Sequence, residues 1–175
     1  MPVPVQMTAE QFDALPEEEI RKWELLDGEL IEVPSATLRH GATFMRLSNL
    51  LQGAAGGALL ETYLAVRANT RLRPDFVFFS VDTWQSVDRH REPVVQKPDI
   101  IVEIVSPSEF ATTIRRKLDA YLKWGVQEVW LIEPAIHTLE LHTLAGMRRL
   151  REGAFLTSEL IPGFRVQIAD LFENL

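Results

Sequence analysis

The sequence predicts an α/β fold, and three observations predict it. An Asp27-Gly28 hairpin signal lies near the start, a strand, helix and strand crossover runs from Asp99 to Glu133, and a second hairpin turns on Ala145-Gly146. With 175 residues the chain can bury a core without staples, and no linker, repeat or low-complexity stretch divides it, so residues 1–175 read as one domain. Thr8 is the cap of a short helix that Pro16 stops. In "KWELLDGELIEVP" two apolar runs flank the Asp-Gly pair, and the acids Glu24, Glu29 and Glu32 read as solvated, with Glu29 also placed to face inward after the turn. From Ser35 to Gln52, Leu38, Phe44, Leu47 and Leu51 recur at near-helical spacing, and "GAAGG" ends that helix.

The middle of the chain reads as strands: "ALLETYLAV", "TRLR" and "DFVFFS", then a polar excursion over "VDTWQSVDRHREPVVQ", then "DIIVEIV". The period changes at Ile114, Leu118, Tyr121 and Leu122, which mark a helix capped by Ser108 and closed by Gly125. "EVWLIEP" is the next strand, parallel to "DIIVEIV" because a helix connects the two. "TLELHTL" and "MRRLRE" form the second hairpin, and "IADLFENL" a terminal helix. Trp23, Trp84, Trp124 and Trp130 read as packing residues.

Composition narrows the function. No run of about 18 apolar residues is present, and "MPVPVQMTAEQF" has neither a basic nor an apolar leader region, so the expectation is a cytoplasmic protein that does not enter membranes. Without cysteine there is no thiolate chemistry and no Cys-based zinc site, which leaves carboxylates and histidines and favours a hard cation. A net charge of −7 argues against indiscriminate nucleic-acid binding, although Arg67, Arg71 and Arg73, then Arg115, Arg116 and Lys117, then Arg148, Arg149 and Arg151 form local basic groups.

Asp75 heads one apolar strand, and Asp99 and Glu103 stand four residues apart in another. A period of two puts Asp99, Ile101 and Glu103 on one face, with Asp75 able to join them from the neighbouring strand. Carboxylates gathered on a buried face repel unless they are protonated, met by a cationic side chain or bridged by a metal, and a divalent metal answers the pattern with the fewest parts. Lys117, three residues after Ile114 and four before Tyr121, stands on the sheet-facing side of its helix, within reach of the acids. His40 opens the long first helix, where it serves either structure or a site.

The ordered segments "MTAEQFDALP", "WELLDGELIEVP", "RHGATFMRLSNLL", "RPDFVFFS", "KPDIIVEIVSPS", "KLDAYLKWGVQEVWLIEP" and "IPGF" resemble the large bacterial family of restriction-endonuclease-like proteins of the Uma type, in the PD-(D/E)xK nuclease superfamily. That resemblance implies a mixed central sheet flanked by helices, with the N-terminal hairpin added, and a Mg²⁺- or Mn²⁺-dependent DNA endonuclease. It assigns the metal to Asp75 and Glu103; on that reading we expect the backbone carbonyl of Ile104 to complete the metal's protein ligands, with Asp99, Glu29 and His40 around the ion or on the substrate side. Where the superfamily motif has lysine this chain has Val105, and Lys117 on the next helix is the matching catalytic residue. Cutting both strands of a duplex takes two sites, so a homodimer is expected. The alternative is a non-catalytic interaction or regulatory protein that keeps the nuclease fold and pairs its acids with cationic side chains.

Overall fold

Thr8 starts the first helix as expected: its hydroxyl accepts from the Gln11 amide while the Gln11 side chain accepts from the Thr8 amide, which satisfies two N-terminal donors of α1 (Ala9–Asp13). The computed structural model describes residues 6–173, so the first five residues of the predicted leaderless start and the last two of the predicted terminal helix lie outside the described residues. After Pro16, α2 (Glu17–Ile20) leads into β1 (Trp23–Leu26) and β2 (Glu29–Glu32). Asp27 (φ 54°) and Gly28 (φ 85°) both take left-handed backbone, the conformation a two-residue hairpin turn requires. The next helix, α3 (Leu38–Leu51), begins three residues later than the spacing predicts, because Thr37 is its cap and accepts from the His40 amide.

The stretch predicted as one strand, "ALLETYLAV", forms two. β3 (Gly57–Leu60) and β4 (Leu64–Arg67) belong to different sheets, and the chain breaks between them at Glu61, which has φ 42°. Gly57 is obligatory there, since a Cβ would fall 2.1 Å from the Trp84 ring. β5 (Thr70–Leu72), β6 (Phe76–Phe79) and the short α4 (Val81–Trp84) follow. Then come β7 (Ile100–Ile104), α5 (Ala111–Trp124), β8 (Glu128–Glu133), β9 (Thr138–Thr143) and β10 (Gly146–Leu150). A small two-stranded sheet of β11 (Phe155–Thr157) and β12 (Arg165–Gln167), absent from the sequence reading, precedes α6 (Ile168–Phe172).

The central sheet has the order β10-β9-β8-β7-β6-β3, and β7 with β8 is its parallel pair, joined through α5 as predicted. A second, antiparallel sheet has the order β2-β1-β5-β4. Alternation along β7 divides the core into two layers. Ile100, Val102 and Ile104 pack with Leu47, Trp130, Leu171 and Phe172 under α3 and α6, whereas Ile101 packs with Val129, Ala120 and Tyr121 under α5. Leu26, Leu64 and Leu72 of the second sheet join that latter layer, so α5 is held between the two sheets. Among the described residues, no helix is long and apolar enough to cross a membrane.

α5 begins at Ala111 with Phe110, not Ser108, as its N-cap, and Gly125 (φ 94°) closes it. Lys117 therefore lies about 9 Å along the axis from Ala111, nearer the helix start than a Ser108 cap implies. Arg116, which the periodicity turns away from the sheet, donates to Glu29 Oε2 at 2.7 Å and to the Leu26 carbonyl at 3.2 Å, tying the hairpin to α5. Both charged groups are well exposed, so Arg116→Ala should cost no more than about 1 kcal/mol in urea unfolding and leave the acid pocket intact.

Candidate active site

Phe76 faces Val102 and Val77 faces Ile101 across β6 and β7, and continuing that register by one residue sets Asp75 opposite Glu103. Both acids line one pocket of about 270 Å³ at the carboxyl end of β7, together with Glu24, His40, Ile104 and Lys117. Four separate segments meet there: the hairpin, the start of α3, the central sheet and α5.

Lys117 is the centre of the charge network. Only 6% exposed, its Nζ lies 2.8 Å from Glu103 Oε1, 3.2 Å from Glu24 Oε2 and 3.9 Å from Glu109 Oε1. One turn on, Tyr121 donates its hydroxyl to the same Glu103 oxygen at 2.6 Å. Burial by itself disfavours an ammonium, but the carboxylates of Glu103, Glu24 and Glu109 outweigh it and raise the Lys117 pKa, so this lysine is a fixed positive charge. Burial pushes the Glu103 carboxyl up to about 8, with Glu24, Asp75 and Glu109 adding to the rise and Lys117 opposing it. Glu109 is raised for the same first reason, its burial.

Asp75 is held from two sides. Its Oδ2 accepts the Ile104 amide at 2.6 Å, and its Oδ1 lies 3.0 Å from His40 Nε2. The bond to Asp75 favours the imidazolium and raises the His40 pKa, against burial, which disfavours the charged ring. Glu24, read from sequence as solvated, is 5% exposed: its Oε1 accepts the Arg73 amide at 2.7 Å while Oε2 faces Lys117. The missed signal was the period of two in "WELL", which puts Glu24 on the same face as buried Leu26. Glu109 carried no such signal, because it lies in the irregular loop between β7 and α5.

The structure therefore brings together Asp75, Glu103, Lys117, His40 and Ile104, and does not bring Asp99 or Glu29 to them. Asp99 precedes β7, about 13 Å along the strand from Glu103, where its oxygens accept the Ser80 amide and the Gln127 side chain, each at 2.8 Å. Burial alone would raise its pKa, yet these bonds hold it low, and it ties α4 and the start of β8 to the sheet. Glu29 is engaged by Arg116 and does not line the pocket. Val105 lies with Ala111 and Ile114 in a separate, mostly apolar groove, so the amine near the acids comes from α5.

The donors suit a hard cation with an open coordination shell. Asp75 and Glu103 offer carboxylate oxygens on one side of the pocket, Glu103 Oε2 makes no hydrogen bond within the described residues, and Ile104 supplies backbone between them. Among the described residues, no group of three His, Asp or Glu side chains is disposed to hold a metal, so a hard cation here would have two carboxylates, Asp75 and Glu103, and would need water or substrate oxygens for the rest of its shell.

Of the groups here that bind protons more tightly in the fold than outside it, three have ordinary values in the acid-to-neutral range: Glu103, Glu109 and His40. For each, the folded state holds more protons than the unfolded state between the two pKa values, so stability is lost as pH rises through that window. For Glu103 the window is 4.5 to about 8. Without divalent metal, the melting temperature should fall by at least about 5 °C from pH 5 to pH 8, and Glu103→Gln should flatten most of that slope. A wild-type melting temperature that rises over the same range would contradict this electrostatic account.

Residues 9–169 match the Uma2 family, whose description is "Putative restriction endonuclease". The fold is similar to a crystal structure from Anabaena variabilis described as "a putative nuclease belonging to DUF820", with a TM-score of 0.78, 22% identity and 98% of each chain covered. At that identity the likeness establishes a shared fold, the mixed sheet flanked by helices. No curated protein matches the chain.

Proposed function

The chain belongs to the Uma2 family, and on that footing we propose that it is a metal-dependent endonuclease that hydrolyses phosphodiester bonds of DNA. The observation that carries the proposal is the pairing of Asp75 and Glu103 across neighbouring strands beside a buried, permanently charged Lys117. Asp75, Glu103 and the Ile104 carbonyl would hold Mg²⁺ or Mn²⁺, which supplies an acidified water and positive charge against the phosphate. Lys117 keeps its proton throughout. It fixes the Glu103 carboxylate through a 2.8 Å contact and places a second positive charge where negative charge grows in the transition state. Tyr121 holds the same oxygen from the other side, which leaves Glu103 Oε2 toward the pocket. His40 and the Ile104 amide fix both Asp75 oxygens.

A second reading follows from the same contacts: Lys117 already meets three carboxylates, which suits a structural ion cluster in a non-catalytic protein. Calorimetric titration with Mn²⁺ or Mg²⁺ separates the two. The nuclease reading expects saturable binding that Asp75→Asn removes, whereas a structural cluster binds neither ion.

A further inference from the structure

Beside the acid pocket lies a second cleft, of about 350 Å³, which adjoins the first, since both are lined by Glu24, Val33, Pro34 and Glu109. Its outer wall is Phe110, which is 77% exposed. An aromatic ring is a poor occupant of this position: the N-cap favours short side chains that accept from the first helical amides, and Phe110 makes no such bond. Its backbone is fixed all the same. The Phe110 carbonyl accepts from the amides of Thr113 at 2.9 Å and Ile114 at 3.1 Å, so the ring projects from a rigid helix start rather than from a loose loop. Val33 and Pro34, just past the end of β2, line the cleft with it, as do the hydroxyls of Ser35 and Ser108 and the carboxylate of Glu32.

We propose that this cleft receives an unpaired nucleobase from the strand whose phosphate enters the acid pocket, with Phe110 as the face on which the base stacks. The assignment rests on the nuclease reading of the adjoining pocket and names its substrate class: nucleic acid with unstacked bases at the cut. The slot offers a base an exposed aromatic face, the apolar carbons of Ile31, Val33 and Pro34 and hydroxyls that both donate and accept, beside the carboxylates of Glu24, Glu32 and Glu109, and it adjoins the acid pocket as a base adjoins its own phosphate. No Lys or Arg lines the cleft, so binding there would come from stacking on Phe110, which accepts any base and needs a base free of its stack, and not from phosphate neutralisation. A single-stranded substrate also needs one site per molecule, so this assignment does not require a dimer.

The test is fluorescence anisotropy with a dye-labelled single-stranded DNA oligonucleotide and a blunt hairpin duplex of the same length, in Ca²⁺ at fixed salt, on the wild type, Phe110→Ala and Phe110→Trp. The wild type should bind the single strand more tightly than the duplex. Phe110→Ala should weaken single-strand binding about 5- to 100-fold, Phe110→Trp should restore it, and duplex binding should change little in either variant. Because Phe110 is exposed, neither change threatens the fold. Wild-type affinity for the single strand in Phe110→Ala overturns the proposal, as does an equal loss on the duplex. A dimer in light scattering that Phe110→Ala converts to monomer also overturns it, since the ring would then pack on a second copy. If no nucleic acid is cut with Mg²⁺ or Mn²⁺ while the Phe110 effect on single strands holds, the nuclease reading fails and the base cleft stands.

Discussion

Replacing Lys117 with methionine should destabilise the protein by about 3 to 5 kcal/mol at pH 8 and lower any nuclease turnover by about 100-fold or more. From spacing alone this lysine reads as an active-site group that can be removed without harm to the fold. Its burial reverses that expectation. The substitution keeps most of the volume but leaves Glu103, Glu24 and Glu109 with no ammonium among them, all within 3.9 Å of where it stood. Below pH 5 the penalty should shrink, because Glu103 and Glu109, whose pKa values burial already raises, take up protons. Saturating Mn²⁺ should recover part of the stability at pH 8 by supplying the missing positive charge. Thermal unfolding of the variant at both pH values, with and without metal, reads all of this. Equal stability of variant and wild type at pH 8 would mean that the carboxylates do not depend on Lys117.

Asp75→Asn and Glu103→Gln should each reduce cleavage by more than about 100-fold while the chain stays folded. The geometry explains the second half of that statement. An asparagine oxygen at position 75 still accepts the Ile104 amide now bound at 2.6 Å, so the β6–β7 edge keeps its tie, while the negative charge and the acceptor beside His40 are lost. Glu103→Gln removes the buried carboxyl whose pKa is pushed up to about 8, so it should if anything raise apo stability near neutral pH. A variant that is more stable and inactive separates a functional acid from a structural one. Full activity in both variants would remove Asp75 and Glu103 from the mechanism.

Much of this arrangement was legible from local rules. The Asp27-Gly28 turn and the β7-α5-β8 crossover each rest on a signal within a few residues, and the structure shows both; the second hairpin is there as well, but it turns one residue earlier, on Leu144-Ala145, because Gly146 already pairs with Thr143 as the first residue of β10. The strand period also placed Glu103 on the α5 side of the sheet, where Tyr121 and Lys117 meet it. The contacts that proved hardest to read depend on tertiary approach. Nothing near Glu24 in the chain announces that the second sheet folds over α5 and sets its carboxylate against Lys117. The period of two leaves open where a strand begins and which end of it bears the site, and Asp99 falls just before β7, where Ser80 and Gln127 engage it at the far end. The split of "ALLETYLAV" into β3 and β4 turned on the positive φ of Glu61, which no propensity for that residue foretells.

The most direct test of the central claim is incubation of the purified protein with supercoiled plasmid and with single-stranded circular DNA, in Mg²⁺, in Mn²⁺ and in EDTA. Circular substrates have no ends, so any cut reports an endonuclease. Cleavage with either metal, abolished by EDTA and by Asp75→Asn, is the result this account predicts. Intact circles under every condition, from protein that is folded and binds no Mn²⁺ in calorimetry, would contradict it and leave the acids and Lys117 as a structural ion cluster.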